Sequence, residues 1–172
     1  MSDDSRKALR AKGLKIRTEV LGKKYVEAAL TNRNAFNNGL QDLLNEYCWG
    51  SAWSGKNLTR RERSLINLAM LTALGRTHEV VAHTRGAKNN GLTDKEIAEV
   101  FLQAAVYCGV PAAVDSFRAA NPVIQEMNAE AAAAKKAAKK AKAPAKKAAA
   151  AKAPAKAATK SGAAKAVAKP AK

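Results

Sequence analysis

Thr59-Arg60-Arg61-Glu62-Arg63-Ser64-Leu65-Ile66-Asn67-Leu68-Ala69-Met70-Leu71-Thr72-Ala73-Leu74-Gly75 is the stretch that decides the fold. It opens with a capping box. The Thr59 hydroxyl and the Glu62 carboxylate can satisfy free backbone N–H groups at a helix start. Behind it, Leu65, Ile66, Leu68, Ala69, Leu71, Thr72 and Ala73 fill most of a helix circumference, which predicts a deeply buried helix. Gly75 supplies a stop or kink. Downstream the pattern repeats. Thr93-Asp94-Lys95-Glu96 is a second capping box after an Asn90-Gly91 turn, and it places Ile97, Val100, Phe101, Ala104 and Ala105 inward. Gly109 ends that helix, and Pro111 suits the first turn of another that runs to about Met127. Upstream, Lys23–Leu30 and Gly39–Tyr47 are short amphipathic candidates. No segment alternates with β-branched enrichment, so the expected fold class is all-α with no sheet.

Charge divides the chain in two. Residues 131–172 hold thirteen Lys and no acid among mostly Ala, with Lys-Ala-Pro-Ala-Lys at 142–146 and again at 152–156. Residues 1–130 are only +4, against +17 for the whole chain. About 130 residues suffice for one domain with its own core. The tail has almost nothing larger than Ala to bury, and its prolines oppose helix, so it is expected to be disordered or transiently helical. Its lysines are a solvated extension or a weak polyanion binder, with recruitment to an acidic partner a lesser option. No interleaved aromatics or base-reading module accompany them, so nucleic-acid binding would be non-specific.

The two cysteines, Cys48 and Cys108, form no CxxC pair, zinc spacing or disulfide framework. With a charged N-terminus and no apolar leader, a reducing cytoplasm is the simplest expected compartment. No apolar run approaches the roughly 18 residues of a membrane span.

Arg76, Glu79 and His83 fall at spacings of three and four inside Gly75–Asn90, a stretch that reads as helix. The spacing puts a cation, a carboxylate and an imidazole on one face. The plain alternative is an exposed polar face with incidental ion pairs. Val80, Thr84 and Ala87 flank the strip, so His83 is expected at the edge of the buried stripe. His78, the other histidine, lies on a different face and is expected to meet solvent. Arg60, Arg61 and Arg63 crowd the first turn of the Thr59 helix, where the dipole does not favour them. They are either solvated or part of an anion site built with the helix N–H groups. There is no Gly-rich phosphate loop, HExxH, GxSxG or Cys/His cluster. His, Glu and Arg remain, and these can transfer protons and stabilise anions without a cofactor or metal.

Trp49-Gly50-Ser51-Ala52-Trp53 and the run from Leu58 to Leu65 and on through Leu74-Gly75-Arg76 together resemble the carboxymuconolactone decarboxylase family. So do Glu79-Val80-Val81-Ala82-His83, Asn89-Asn90-Gly91-Leu92-Thr93, Val106 to Ala113, and Val20-Leu21-Gly22 with Val26. The resemblance spans about residues 13–127; the tail and the linker Ser54-Gly55-Lys56-Asn57 depart from it. It implies a compact helical domain of the alkylhydroperoxidase-like type, a homo-oligomer (trimer or hexamer), and Trp49 and Trp53 as buried anchors at contacts or in the core. The wider superfamily carries Cys-x-x-Cys-x-x-x-His; counted back from His83, its cysteine positions are Arg76 and Glu79 here, which speaks against thiol redox chemistry.

The implied activity is decarboxylation of 4-carboxymuconolactone to 3-oxoadipate enol-lactone, in protocatechuate catabolism by the β-ketoadipate pathway. That substrate carries its own electron sink, a lactone carbonyl in conjugation with the carbon that loses CO2. On this reading no cofactor is required. His83 is the expected general acid, with Glu79 orienting it, tuning it or itself donating the proton. Arg76 and a cation of the Thr59 helix, Arg63 or Arg60, hold carboxylate or oxyanion. The alternatives are a redox protein that lacks the thiol pair and a nucleic-acid-binding oligomer that acts through its tail.

Overall fold

The computed structural model describes residues 2–150, with side chains through Lys139. Seven α-helices and one π-helical segment follow in order: α1 (Asp3–Leu21), α2 (Lys23–Thr31), α3 (Asn38–Leu43), the π-helix Leu44–Ala52, α4 (Arg60–Ala73), α5 (Thr77–Asn89), α6 (Asp94–Cys108) and α7 (Val110–Ala150). No strand occurs among the described residues. Contacts divide the chain into Met1–Ala131 and Ala132–Lys172.

Both capping boxes form. Thr59 accepts from the Glu62 N–H, and the Glu62 carboxylate accepts from the Thr59 N–H at 2.6 Å; Thr93 and Glu96 repeat the arrangement at 2.8 Å. Four glycines sit at positive φ, and two of them end helices where the sequence placed stops. Gly75 (φ 64°) follows α4, and the next N–H, of Arg76, bonds back to Leu71 O at 2.9 Å; Gly109 (φ 102°) separates α6 from α7. Only a residue without Cβ takes this conformation without strain.

Two apolar clusters form the core. One joins Ile16, Val20, Leu21 and Val26 of α1 and α2 to Trp49, Trp53 and Ala82. The other joins Leu68, Val80, Ala87, Leu92, Ile97, Phe101 and Ala120. Helix α5 serves both, with Ala82 on one side and Val80 and Ala87 on the other. It is therefore fixed from two directions, as a scaffold for a reactive side chain must be.

α1, for which the sequence offered no helix, is tied to the π-helix by backbone contact and by charge. A Cβ on Gly13 would fall inside the Asn45 carbonyl, and one on Gly50 would lie 2.5 Å from Leu9 O. Glu46, 1% exposed, accepts from Arg6 Nε at 3.0 Å and Arg10 Nε at 2.9 Å. Burial works against its charge, but these two guanidinium bonds hold the carboxyl below its usual range.

Three expectations need correction. α4 is not buried all round. Ser64, Leu68 and Thr72 are enclosed, but Ile66, Met70 and Leu74 form an exposed stripe, because α5 and α6 pack on one side only. α5 begins at Thr77, so Arg76 is its N-cap (φ −89°, ψ 66°) and lies outside the helical strip. α7 does not end near Met127; it continues to Ala150 through Pro144. Ala and Lys are strong helix formers, which offsets the proline. The expectation of disorder for the rest of the tail falls on residues 151–172, outside the described residues.

Candidate active site

Two indoles and one imidazole form a stack. The Trp49 and Trp53 rings lie 4.7 Å apart at 26°, and the His83 ring lies 6.2 Å from each, nearly parallel to Trp49 at 6°. The π-helix supplies Trp49, and Trp53 is the residue that caps its C-terminal end. Its wider winding, seen where Trp53 N–H bonds to Cys48 O five residues back at 2.9 Å, sets the two indoles together on the side that faces α5. Such windings recur at functional sites. Val80 and Thr84, one on either side of His83 in α5, are fully buried and anchor that turn.

His83 is half-buried against this apolar wall. Burial pushes its pKa below the ordinary 6.5, and the Glu79 carboxylate one turn earlier pulls it part of the way back. The imidazole is therefore neutral at neutral pH when the site is empty. Among the described residues no hydrogen bond fixes it, which leaves its ring nitrogens for a bound molecule. Glu79 and Arg76 are exposed at the α5 N-terminus, and His78 is exposed as expected.

The three arginines of α4 part company. Arg60 Nη2 donates to Glu19 at 2.6 Å, and Arg61 pairs with Glu96 and donates to Gly91 O at 2.8 Å. Those two cations are bound to structural partners. Arg61, with the Thr93 backbone N–H as the larger influence, depresses the Glu96 carboxyl to about 2. Arg63 has no acidic partner among the described residues, and its Nε is buried without a hydrogen bond. Its guanidinium lies against Gly55, in the turn that leaves Trp53. The structure thus sets His83 on the Trp49–Trp53 pair with Glu79 one turn earlier in α5, Arg76 at the α5 cap and Arg63 against Gly55, while Arg60 is committed to α1.

The two indoles are what sequence reasoning missed as site residues. Their spacing of four was legible, but in a π-helix the partner they face is set by packing. Cys48 and Cys108 are both free thiols. Among the described residues no group of three His, Cys, Asp or Glu is placed to hold a metal ion, and no helix is long and apolar enough to cross a membrane. His83 lines none of the four described cavities. One of these, of about 420 Å³, is an apolar groove between α4 and α6 lined by Leu65, Ile66, Ala69 and Val100.

The profile of the carboxymuconolactone decarboxylase family matches residues 38–122, which hold the π-helix, both capping boxes and His83. A nitrosuccinic acid decarboxylase of Metarhizium robertsii is 40% identical over 126 residues, covering 73% of this chain and 88% of that protein. A 4-carboxymuconolactone decarboxylase of Acinetobacter baylyi is 41% identical over 115 residues, 67% of this chain and 86% of that protein.

Proposed function

The chain belongs to the carboxymuconolactone decarboxylase family, and from that premise we propose that it is a decarboxylase of 4-carboxymuconolactone, forming 3-oxoadipate enol-lactone and CO2. The observation that carries this reading is the half-buried, unbonded His83 stacked on Trp49 and Trp53 with Glu79 one turn away.

The chemistry asks for three things: a dianion held in place, an oxyanion stabilised, and a proton delivered to carbon. As the carboxylate leaves, its bonding electrons pass through the C=C bond to the lactone carbonyl oxygen. A proton from His83 then quenches the dienolate at carbon. Burial alone keeps His83 neutral, so the bound dianion has a second role. Its charge favours imidazolium, the more strongly once water is excluded. Glu79 adds to the same shift. The acid is thus made by the substrate it serves. Arg63 and Arg76 hold the carboxylates.

Nitrosuccinic acid, named for one relative, is also a dicarboxylic acid with a strong electron acceptor on a carbon that bears a carboxyl. The same three demands apply to it. The two relatives are alike to this chain to the same degree, 40% and 41%, and the deciding experiment offers both acids separately. Ultraviolet loss of authentic 4-carboxymuconolactone with stoichiometric CO2 supports the reading; turnover of nitrosuccinate alone overturns it.

Two partner readings accompany this one. Leu74, Val106, Tyr107 and Val110 are each at least 63% exposed at one end of α4, α6 and α7, more apolar surface than a single chain keeps in water. A second copy of this chain is the occupant we propose, in a homo-oligomer. The basic tail is proposed to attract polyanions by counterion release, without sequence preference and without a part in turnover.

A further inference from the structure

Glycine at position 55 is not demanded by its backbone. The positive-φ glycines are Gly22, Gly75, Gly91 and Gly109. What Gly55 does have is a neighbour in the place where a side chain would be. An added Cβ would lie 2.6 Å from Arg63 Nη2, well inside normal contact, and 3.5 Å from its Cζ. The loop is held there by Gly55 N–H bonding to Ala52 O at 3.3 Å, directly behind the Trp53 that stacks on His83. Arg63 is anchored by nothing else of opposite charge. Arg60 and Arg61 each have an acid, whereas the Arg63 Nε is enclosed and unbonded. A guanidinium kept without a counter-charge against Gly55, two residues after the Trp53 that stacks on His83, is placed to receive an anion.

We propose that the missing side chain at position 55 is the slot for the Arg63 guanidinium, so that Gly55 is a positioning residue that sets where the site receives a substrate carboxylate. The ligand class is a dicarboxylate, and in this the inference rests on the proposed decarboxylase reading. The severe contact of a methyl group at 55 is with the far end of a flexible side chain, and the Ala52 carbonyl at 3.3 Å has to give by only a few tenths of an ångström. Gly55→Ala therefore moves the cation and leaves the fold intact.

The test uses the full-length protein with Gly55→Ala, Arg63→Ala and the double variant. One readout is steady-state turnover of 4-carboxymuconolactone. The other is quenching of Trp49 and Trp53 fluorescence on titration with succinate, which needs no turnover. Gly55→Ala is expected to raise KM and the succinate Kd about tenfold, the scale of a displaced charge-assisted hydrogen bond. kcat should stay within about twofold, because the proton donor is elsewhere. In the double variant Gly55→Ala should add nothing to Arg63→Ala. Wild-type KM and Kd in Gly55→Ala, or effects that simply add, overturn the slot. If the lactone is not turned over while succinate shows the coupling, the substrate reading falls and the slot stands. If the lactone is turned over without the coupling, the slot falls alone. A wild type that binds neither dicarboxylate overturns both.

Discussion

At the scale of the residue, the His83 environment makes two quantities pH-dependent with opposite senses. If imidazolium delivers the proton, kcat/KM falls as pH rises through the His83 pKa of the free enzyme, below 6.5. Glu79 raises that pKa, so Glu79→Gln should move the fall to lower pH. A pH–rate profile unmoved by Glu79→Gln would separate the two residues. Stability runs the other way. The folded pKa is depressed, so the unfolded chain binds more protons just below pH 6.5. The neutral, buried imidazole is unpenalised above that value, and stability drops as pH falls through the folded pKa. His83→Gln should flatten the loss of Tm in that window. His83→Ala should cost about 10²–10⁴ in turnover and leave the helical spectrum intact, since a proton donor is lost but little core volume. Full activity in His83→Ala would reduce Glu79 and His83 to a surface polar pattern.

At the scale of the element, the π-helix is the part that places the site, and it depends on α1. The two meet backbone to backbone at Gly13 and Gly50. Gly13→Ala has no flexible neighbour to displace and must push the segments apart. It should destabilise the domain by at least about 1–3 kcal/mol and change the near-ultraviolet signal of Trp49 and Trp53, measurable by urea melts and circular dichroism. Gly55→Ala, which meets a side-chain tip, should do neither. An unchanged melt in Gly13→Ala would mean that α1 does not hold the tryptophans. Both capping boxes were legible because Thr-x-x-Glu acts within one turn and needs no tertiary partner. α1 was not legible. Its stretch is highly charged, and it is helical because Arg6 and Arg10 find Glu46, thirty-six to forty residues away.

At the scale of the molecule, the exposed stripe of α4 and the apolar end around Val106 and Tyr107 predict association. Light scattering should find more than one chain per particle at micromolar concentration, and Val106→Glu should shift it toward one. A wild-type monomer would remove the oligomer. Truncation at residue 130 removes thirteen lysines and should abolish salt-sensitive retention on DNA, while lactone turnover per site barely changes, because His83, Glu79, Arg63 and Arg76 all precede it. Loss of turnover with assembly intact would overturn the separation of tail from chemistry.

The sequence by itself determined the helix class, the two capped helices, the glycine stops, the place of His83 at a buried edge and the concentration of net positive charge in the tail. These follow from hydrogen bonds within one turn, from helical period and from counting, all local properties of a chain. Tertiary structure alone decided which of the three α4 arginines is left without an acidic partner among the described residues. Arg60, Arg61 and Arg63 look alike in sequence, and they differ only because Glu19 and Glu96 come within reach of two of them. It also decided that Trp49 and Trp53 face His83, because ring stacking depends on how α5 and the π-helix cross, and no local rule contains that crossing.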